Sequence, residues 1–361
     1  MAGLFGTTPS TTTTANTVNT TGDTSRDVEL TAPPEDSISD IHFSSKSEHL
    51  AVASWDKKVR IYEINSDGSS AGKALYEHDA PVLSVQWSGD GSKVASAGAD
   101  KMAKLFDVAT GQAQQVAAAD EPIKSVRFCT PPGSSEMLIT GSWDKKIRYW
   151  DLRTPNPVAT VQLPERVYSM DVSQGLLVVG CAERHIQIFN LTNPTTVYKT
   201  AQSPLKWQTR IVKCFPDATG YVVGSVEGRC AIQHVEDKQQ ASNFSFKCHR
   251  ETPASGSPTV YAINAVSFCP GYGTFSTAGA DGTFHLWDKD AKHRLKGYPN
   301  VGGTIAATDF NRTGSIFAYA VSYDWSKGYS ANTPQYPNKV MLHPMESDEA
   351  KPRSQQGLFK R

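Results

Sequence analysis

Residues 142–152 read SWDKKIRYWDL, and residues 54–64 read SWDKKVRIYEI. Six of the eleven positions are identical, although 88 residues separate the two stretches. Looser copies follow the same grammar: SAGADKMAKLFDV at 96–108, GCAERHIQIFNL at 180–191, GSVEGRCAIQHV at 224–235 and TAGADGTFHLWDK at 277–289. Aligned on their acidic residue, the six copies fall at Asp56, Asp100, Asp144, Glu183, Glu227 and Asp281, which are 44, 44, 39, 44 and 54 residues apart.

A repeat of about forty residues ending in Trp-Asp-like pairs points to propeller blades of four strands each. The second copy shows the pattern inside one blade. VLSVQW (82–87) alternates like a strand, Gly89-Asp90-Gly91 is a turn, VASAG (94–98) is a second strand, and AKLFDV (103–108) is a third after the Asp100-Lys101 turn. The outer strand is least distinct and is placed around Gln112–Val116. His78, Ser96 and Asp100 are expected to form a hydrogen-bonded strut, shortened because Phe106 stands where blade 3 has Trp150. A seventh, degenerate copy comprises TIAATDF (304–310), SIFAYAVSYD (315–324), a polar insertion over 325–338 and KVMLHP (339–344). The predicted fold is therefore all-β, a seven-bladed WD40 β-propeller. It is closed by pairing the segment around Val28–Thr31 with the last blade, because an open sheet edge invites aggregation.

Three segments are assigned. Residues 1–27 are rich in Thr, Ser and Asn with hardly an apolar side chain, a composition that predicts a disordered tail. It carries Gly3-Leu4-Phe5-Gly6. Residues 28–345 form the propeller, and 346–361 a polar C-terminal tail. Lys plus Arg and Asp plus Glu both number 36 in the 361 residues, so no whole-molecule field steers the chain to nucleic acid. No apolar run is long enough to span a bilayer, and no secretory signal is expected. The six cysteines form no C-x-x-C pair and read as buried free thiols of a reducing compartment. Nucleotide-loop, zincin and nucleophile-elbow motifs are absent, and metal-ligand spacing is too, so no enzyme activity, small-molecule substrate, cofactor or metal is expected.

The position before each acidic turn residue is the one the blade architecture leaves free. It holds Ala99, Ala182, Val226 and Ala280 in four blades, but Trp55 and Trp143 in two. Either each Trp packs on a neighbouring loop, or the pair is an exposed aromatic anchor for a partner. Lys57, Lys58, Lys101, Lys145, Lys146, Arg184 and Arg229 lie in the same turns. A rim of cations beside tryptophans suits an acidic peptide or an RNA strand.

Longer phrases narrow the choice. SPLKWQTRIVKCF (203–215), GSVEGRCAI (224–232), FSFKCHRE (244–251), YAINAVSFCP (261–270) and SYDWSKG (322–328) resemble, in order, a small branch of WD-repeat proteins. The branch holds the messenger-RNA export factors of the nuclear pore (the Rae/Gle type) and their sister, the spindle-checkpoint propeller (the Bub type). SYDWSKG, WSGDGSKV (87–94) and the GLFG tail favour the export type. The resemblance implies a non-enzymatic adaptor, monomeric by itself, that binds the acidic GLEBS segment of a Phe-Gly nucleoporin on one propeller face as a heterodimer. It also implies contact with RNA or messenger ribonucleoprotein, and residence in the nucleus and at the nuclear envelope with a shuttling cytoplasmic pool. The contacts carried over are Trp55 and Trp143 from the S-W-D phrases, Arg229 from E-G-R, Lys247 from F-K-C-H-R, and Arg210. The alternative is a checkpoint adaptor binding a related peptide of checkpoint kinases.

Overall fold

Short β-branched segments separated by tight polar turns leave this chain one way to bury both faces of every sheet, which is to stack the sheets around an axis. A computed structural model describes residues 21–65, 67–253 and 256–353. It contains seven four-stranded antiparallel sheets. The innermost strands are Ile38–Phe43, Val82–Trp87, Ile123–Cys129, Val167–Ser173, Thr209–Cys214, Ile263–Phe268 and Ile305–Phe310. Each touches the next, and the last touches the first, so blades 1 to 7 form a closed ring. The expected strands 82–87 and 339–344 match to the residue, and the indistinct outer strand of blade 2 runs Gln112–Ala118. An additional two-stranded ribbon pairs Arg250–Glu251 with Thr259–Val260.

Closure follows the expected route. Val28 pairs with Leu342 and Glu29 with Met341, which makes Val28–Glu29 the outer strand of blade 7. Leu30 N–H then donates to the Val340 carbonyl at 2.8 Å. The core lies between blades; one cluster joins Ile41, Leu50 and Tyr62 of blade 1 to Ala318, Val340 and Leu342 of blade 7.

The seam extends beyond the strands into both flanking segments. Asp27, in the stretch assigned to the tail, accepts hydrogen bonds from His343 Nδ1 (2.6 Å) and the Tyr319 hydroxyl (2.5 Å). Glu349 accepts from His343 Nε2 at 3.3 Å, and the Ala350 carbonyl accepts from the Thr274 hydroxyl at 2.7 Å. Thr21 forms a parallel bridge with Gly297. Contacts with the propeller thus extend past both assigned boundaries, to Thr21 on one side and Ala350 on the other. The Gly3–Gly6 motif lies outside the described residues.

The doubled phrase now has a structural explanation. In blades 2 and 6 a histidine from the preceding loop props the acidic turn. His78 donates to Asp100 (2.8 Å) and accepts from Ser96 (2.8 Å). His249 donates to Asp281 (2.9 Å) and accepts from Thr277 (2.9 Å), whose oxygen accepts from Trp287 Nε1 (2.9 Å). Blade 2 lacks the last link, as expected, and stacks Phe106 on Tyr76 with centroids 5.1 Å apart. Blades 1 and 3 do without the histidine. Arg60 pairs with Asp56, and Arg148 with Asp144, each at 2.6 Å and each nearly buried. Within S-W-D-K-K-x-R, the serine hydroxyl accepts the Asp amide and the Asp carboxylate accepts the amide of the second Lys. The first Lys takes the left-handed conformation, with φ of 71° at Lys57 and 64° at Lys145. Five of the seven residues hold the turn and its strut; Trp and the variable position are spared.

The channel mouth as candidate functional site

All the turns bearing the acidic struts lie on one rim, and there the axial channel opens into a cavity of about 490 Å3. The mouth is built by a device repeated seven times. In every blade the pairing of the first two strands slips by one residue near the start of the inner strand: between Ile38 and Asp40, Val82 and Ser84, Ile123 and Ser125, Val167 and Ser169, Thr209 and Ile211, Ile263 and Ala265, and Ile305 and Ala307. A β-bulge re-aims the extra side chain. The seven residues so displaced are Ser39, Leu83, Lys124, Tyr168, Arg210, Asn264 and Ala306, and all seven line the cavity.

Of the five residues selected from sequence, Trp55, Trp143 and Arg210 meet at this mouth. Trp143 is 40% exposed. Trp55 is half-buried because it stacks on Trp325 of the blade 7 insertion, centroids 4.0 Å apart. Loop packing therefore describes Trp55, and surface display describes Trp143. Arg210 is pinned by neutral acceptors, with Nε donating to Asn264 Oδ1 (3.2 Å) and Nη2 to the Asp324 carbonyl (3.3 Å). Protein around its guanidinium lowers its pKa by desolvation, against the attraction of Asp324.

Arg229 and Lys247 lie on the same rim but outward from the mouth. They are register partners on the two outer strands of blade 5, so their side chains are neighbours. Arg229 is half-exposed, 3.7 Å from Glu227, and Lys247 is exposed. Other rim cations are less available than composition suggested: Lys145 pairs with Glu165, Lys146 with Asp120 and Lys101 with Glu121.

Sequence reasoning missed four mouth or rim residues: Lys124, Tyr168, Trp325 and Trp207, the last 58% exposed. Below the mouth the charges compensate one another. Asp171 accepts from Arg127 (3.3 Å) and Lys213 (3.2 Å), while burial raises Asp309 to about 6 and pushes His42 down to about 3. One cluster has the makings of a metal site, His249, Asp281 and His285. Both ring nitrogens of His249 are already spent in the blade 6 strut, which explains the arrangement without an ion. The six cysteines are free thiols, five of them buried.

Comparison with known proteins agrees with the fold. Residues 28–63, 70–107, 117–151 and 245–288 match the WD domain, G-beta repeat family. The chain is 61% identical over 357 residues to mRNA export factor GLE2 of Chaetomium thermophilum, an alignment covering 98% of each chain. It is 60% identical over 345 residues to the Poly(A)+ RNA export protein of Schizosaccharomyces pombe, covering 96% of this chain and 98% of that one. It is 45% identical over 334 residues to Protein Rae1 of Drosophila melanogaster, covering 91% and 96%.

Proposed function

The chain belongs to the Rae/Gle family of WD-repeat mRNA export factors, and from that premise we propose that it is a non-catalytic adaptor in mRNA export through the nuclear pore. On this reading it captures the acidic GLEBS segment of a Phe-Gly nucleoporin across the rim bearing Trp55, Trp143, Arg210, Arg229 and Lys247. It works as a heterodimer with that nucleoporin, in the nucleus and at the nuclear envelope, with a shuttling cytoplasmic pool and with RNA or messenger ribonucleoprotein as a further contact. The observation that carries the reading is the segregation of chemistry in a neutral protein. Exposed Trp143, the Trp55–Trp325 stack and the adjacent Arg229–Lys247 pair all occupy one rim. Aromatics surrounded by cations are the composition of an anchor for an acidic partner; the charges set orientation and encounter rate, and the rings supply burial.

The test is titration calorimetry of the GLEBS segment against wild type and Arg229→Glu, with circular dichroism as the fold control. Capture is expected to be lost in a folded variant. Unchanged affinity in a folded Arg229→Glu protein refutes the site. A direct RNA role is tested separately: binding through phosphates weakens steeply with salt.

A further inference from the structure

The ring of seven bulge residues is chemically lopsided. Going round the mouth, blades 7, 1 and 2 contribute Ala306, Ser39 and Leu83, which are small or apolar. Consecutive blades 3, 4 and 5 contribute Lys124, Tyr168 and Arg210, three hydrogen-bond donors in one arc, and Asn264 of blade 6 supports the last of them. No bulge residue is acidic. The bulge itself raises the significance of the pattern. An inner strand without one would keep these side chains in the alternation that packs blade against blade; each is instead turned into the channel, at the cost of a broken ladder.

The two cations feel nearby carboxylates, Asp40 and Asp324, without pairing to either. Among the described residues neither Lys124 nor Arg210 has a carboxylate within ion-pair distance, whereas Arg127 and Lys213 deeper in the channel share Asp171. Arg210 is held by an amide oxygen and a backbone carbonyl, contacts that fix its plane without a direct carboxylate partner. A planar guanidinium fixed in this way is pre-organised for a carboxylate.

We infer that the arc Lys124–Tyr168–Arg210 is a seat for one carboxylate side chain of the acidic segment, with the apolar half of the ring receiving the aliphatic residue beside it. This rests on the reading that an acidic segment docks on this rim, and it adds the residue and the chemistry at the centre of the interface. The occupant is a partner's glutamate or aspartate because the mouth joins a cationic arc to an apolar one. A free anion would satisfy only the first.

The seat has a pH signature. Burial, then the nearby charges of Arg210 and Arg127, hold Lys124 down at about 8 against the pull of Asp40. The other charged or titratable groups around it are His42 of blade 1, Asp171 of blade 4 behind the wall, Lys213 of blade 5, and Asp309 and Asp324 of blade 7; blades 2 and 6 present Leu83, Ser84 and Asn264. A carboxylate seated beside Lys124 favours its charged form, so the complex takes up a proton whenever free Lys124 lacks one. Affinity is then full at pH 7 and declines as pH rises through about 8, by about tenfold at pH 9, where only about a tenth of free Lys124 is charged.

The experiment titrates the GLEBS segment into wild type, Lys124→Met and Lys124→Arg at pH 7, 8 and 9, with thermal melting of each protein as the fold control. Wild type is expected to weaken about tenfold across the range. Lys124→Arg, charged throughout, should bind tightly with little slope, and Lys124→Met weakly with little slope. A segment whose acidic residues are replaced by their amides should lose the wild-type slope as well. Parallel pH profiles for wild type and Lys124→Met, with binding otherwise intact, overturn the seat and leave the docking rim standing. Absence of any binding to folded wild type overturns both.

Discussion

Replacing His343 by glutamine should unfasten the propeller's seam in a pH-dependent way. The imidazole is almost fully buried between Asp27 of the N-terminal segment and Glu349 of the C-terminal one, at 2.6 and 3.3 Å. Burial alone would push its pKa down, but the hydrogen bonds to the two carboxylates outweigh burial and hold it at about 9, against an ordinary value of 6.5. Folding thus favours the protonated form. The contribution is fully present below pH 6.5 and is lost as pH rises through 9. A displacement of that size corresponds to about 3 kcal/mol at the acid end, about 2 kcal/mol at pH 7.4 and about 0.4 kcal/mol at pH 9. Glu349 closes the window on the other side. Burial works to raise its pKa, yet the hydrogen bonds from His343 and from the Glu346 amide bring it to about 2. Its share is present above pH 4.5 and is lost as pH falls through about 2. Denaturant unfolding of wild type and His343→Gln at pH 6, 7.4 and 9 measures the difference. The stability gap should narrow by about 2–3 kcal/mol from pH 6 to pH 9. Hydrogen exchange at the Leu30 amide, which bonds across the seam, should quicken in the variant. A gap that is the same at pH 6 and pH 9 would show that His343 is not charged in the folded protein and that the seam is held by packing alone.

A chain beginning at Val28 should be less stable than one beginning at Thr21 by about 3–5 kcal/mol, measured by denaturant unfolding, because it leaves His343 without one of its two buried carboxylates. Arg148→Ala should cost a similar amount by stranding the buried Asp144 carboxylate, whereas Trp143→Ala, at an exposed position, should stay within about 0.5 kcal/mol of wild type in the same unfolding assay. In calorimetry against the GLEBS segment, Trp143→Ala should nevertheless lose about 2 kcal/mol, the loss expected of an aromatic hot spot. Gly279→Ala should lower the melting temperature, since a Cβ there would sit 2.7 Å from His249 Nδ1 and 2.8 Å from the Ala262 carbonyl, inside the blade 6 strut.

The blades were legible because a propeller writes its period into the chain. Each sheet needs buried strands of the same length and the same left-handed residue after the acidic one, so Lys57, Lys101, Lys145, Gly228 and Gly282 recur at matching places. The struts were half legible. The histidine upstream of the Asp turn was read in blade 2 and not in blade 6, where His249 plays the same part, and the substitute in blades 1 and 3 is an arginine on the following strand, which looks like an exposed cation until Asp56 and Asp144 are seen beside it. The contact of the N-terminal segment with blade 7 was illegible for a related reason. Asp27 is one charged residue in a polar stretch, and only the tertiary position of His343, more than 300 residues away, makes it buried. Composition registers the segment and not its partner.

The mouth shows where alternation as a reading rule fails and how it could be repaired. A regular strand places its buried residues two apart. In five of the seven inner strands the residues at i, i+3 and i+5 are instead all buried: Ile38, Ile41 and Phe43; Val82, Val85 and Trp87; Ile123, Val126 and Phe128; Thr209, Val212 and Cys214; Ile305, Thr308 and Phe310. The three-residue step marks the bulge, because one extra residue must be lodged without shifting the rest of the strand to the wrong face. The residue after the first anchor is then the one turned into the channel. That residue is Ser39, Leu83, Lys124, Tyr168, Arg210, Asn264 or Ala306 in the seven blades, and of the cationic arc only Arg210 had been named from the sequence, through the family resemblance. The turns display what surrounds the opening, while the bulges decide what it can hold.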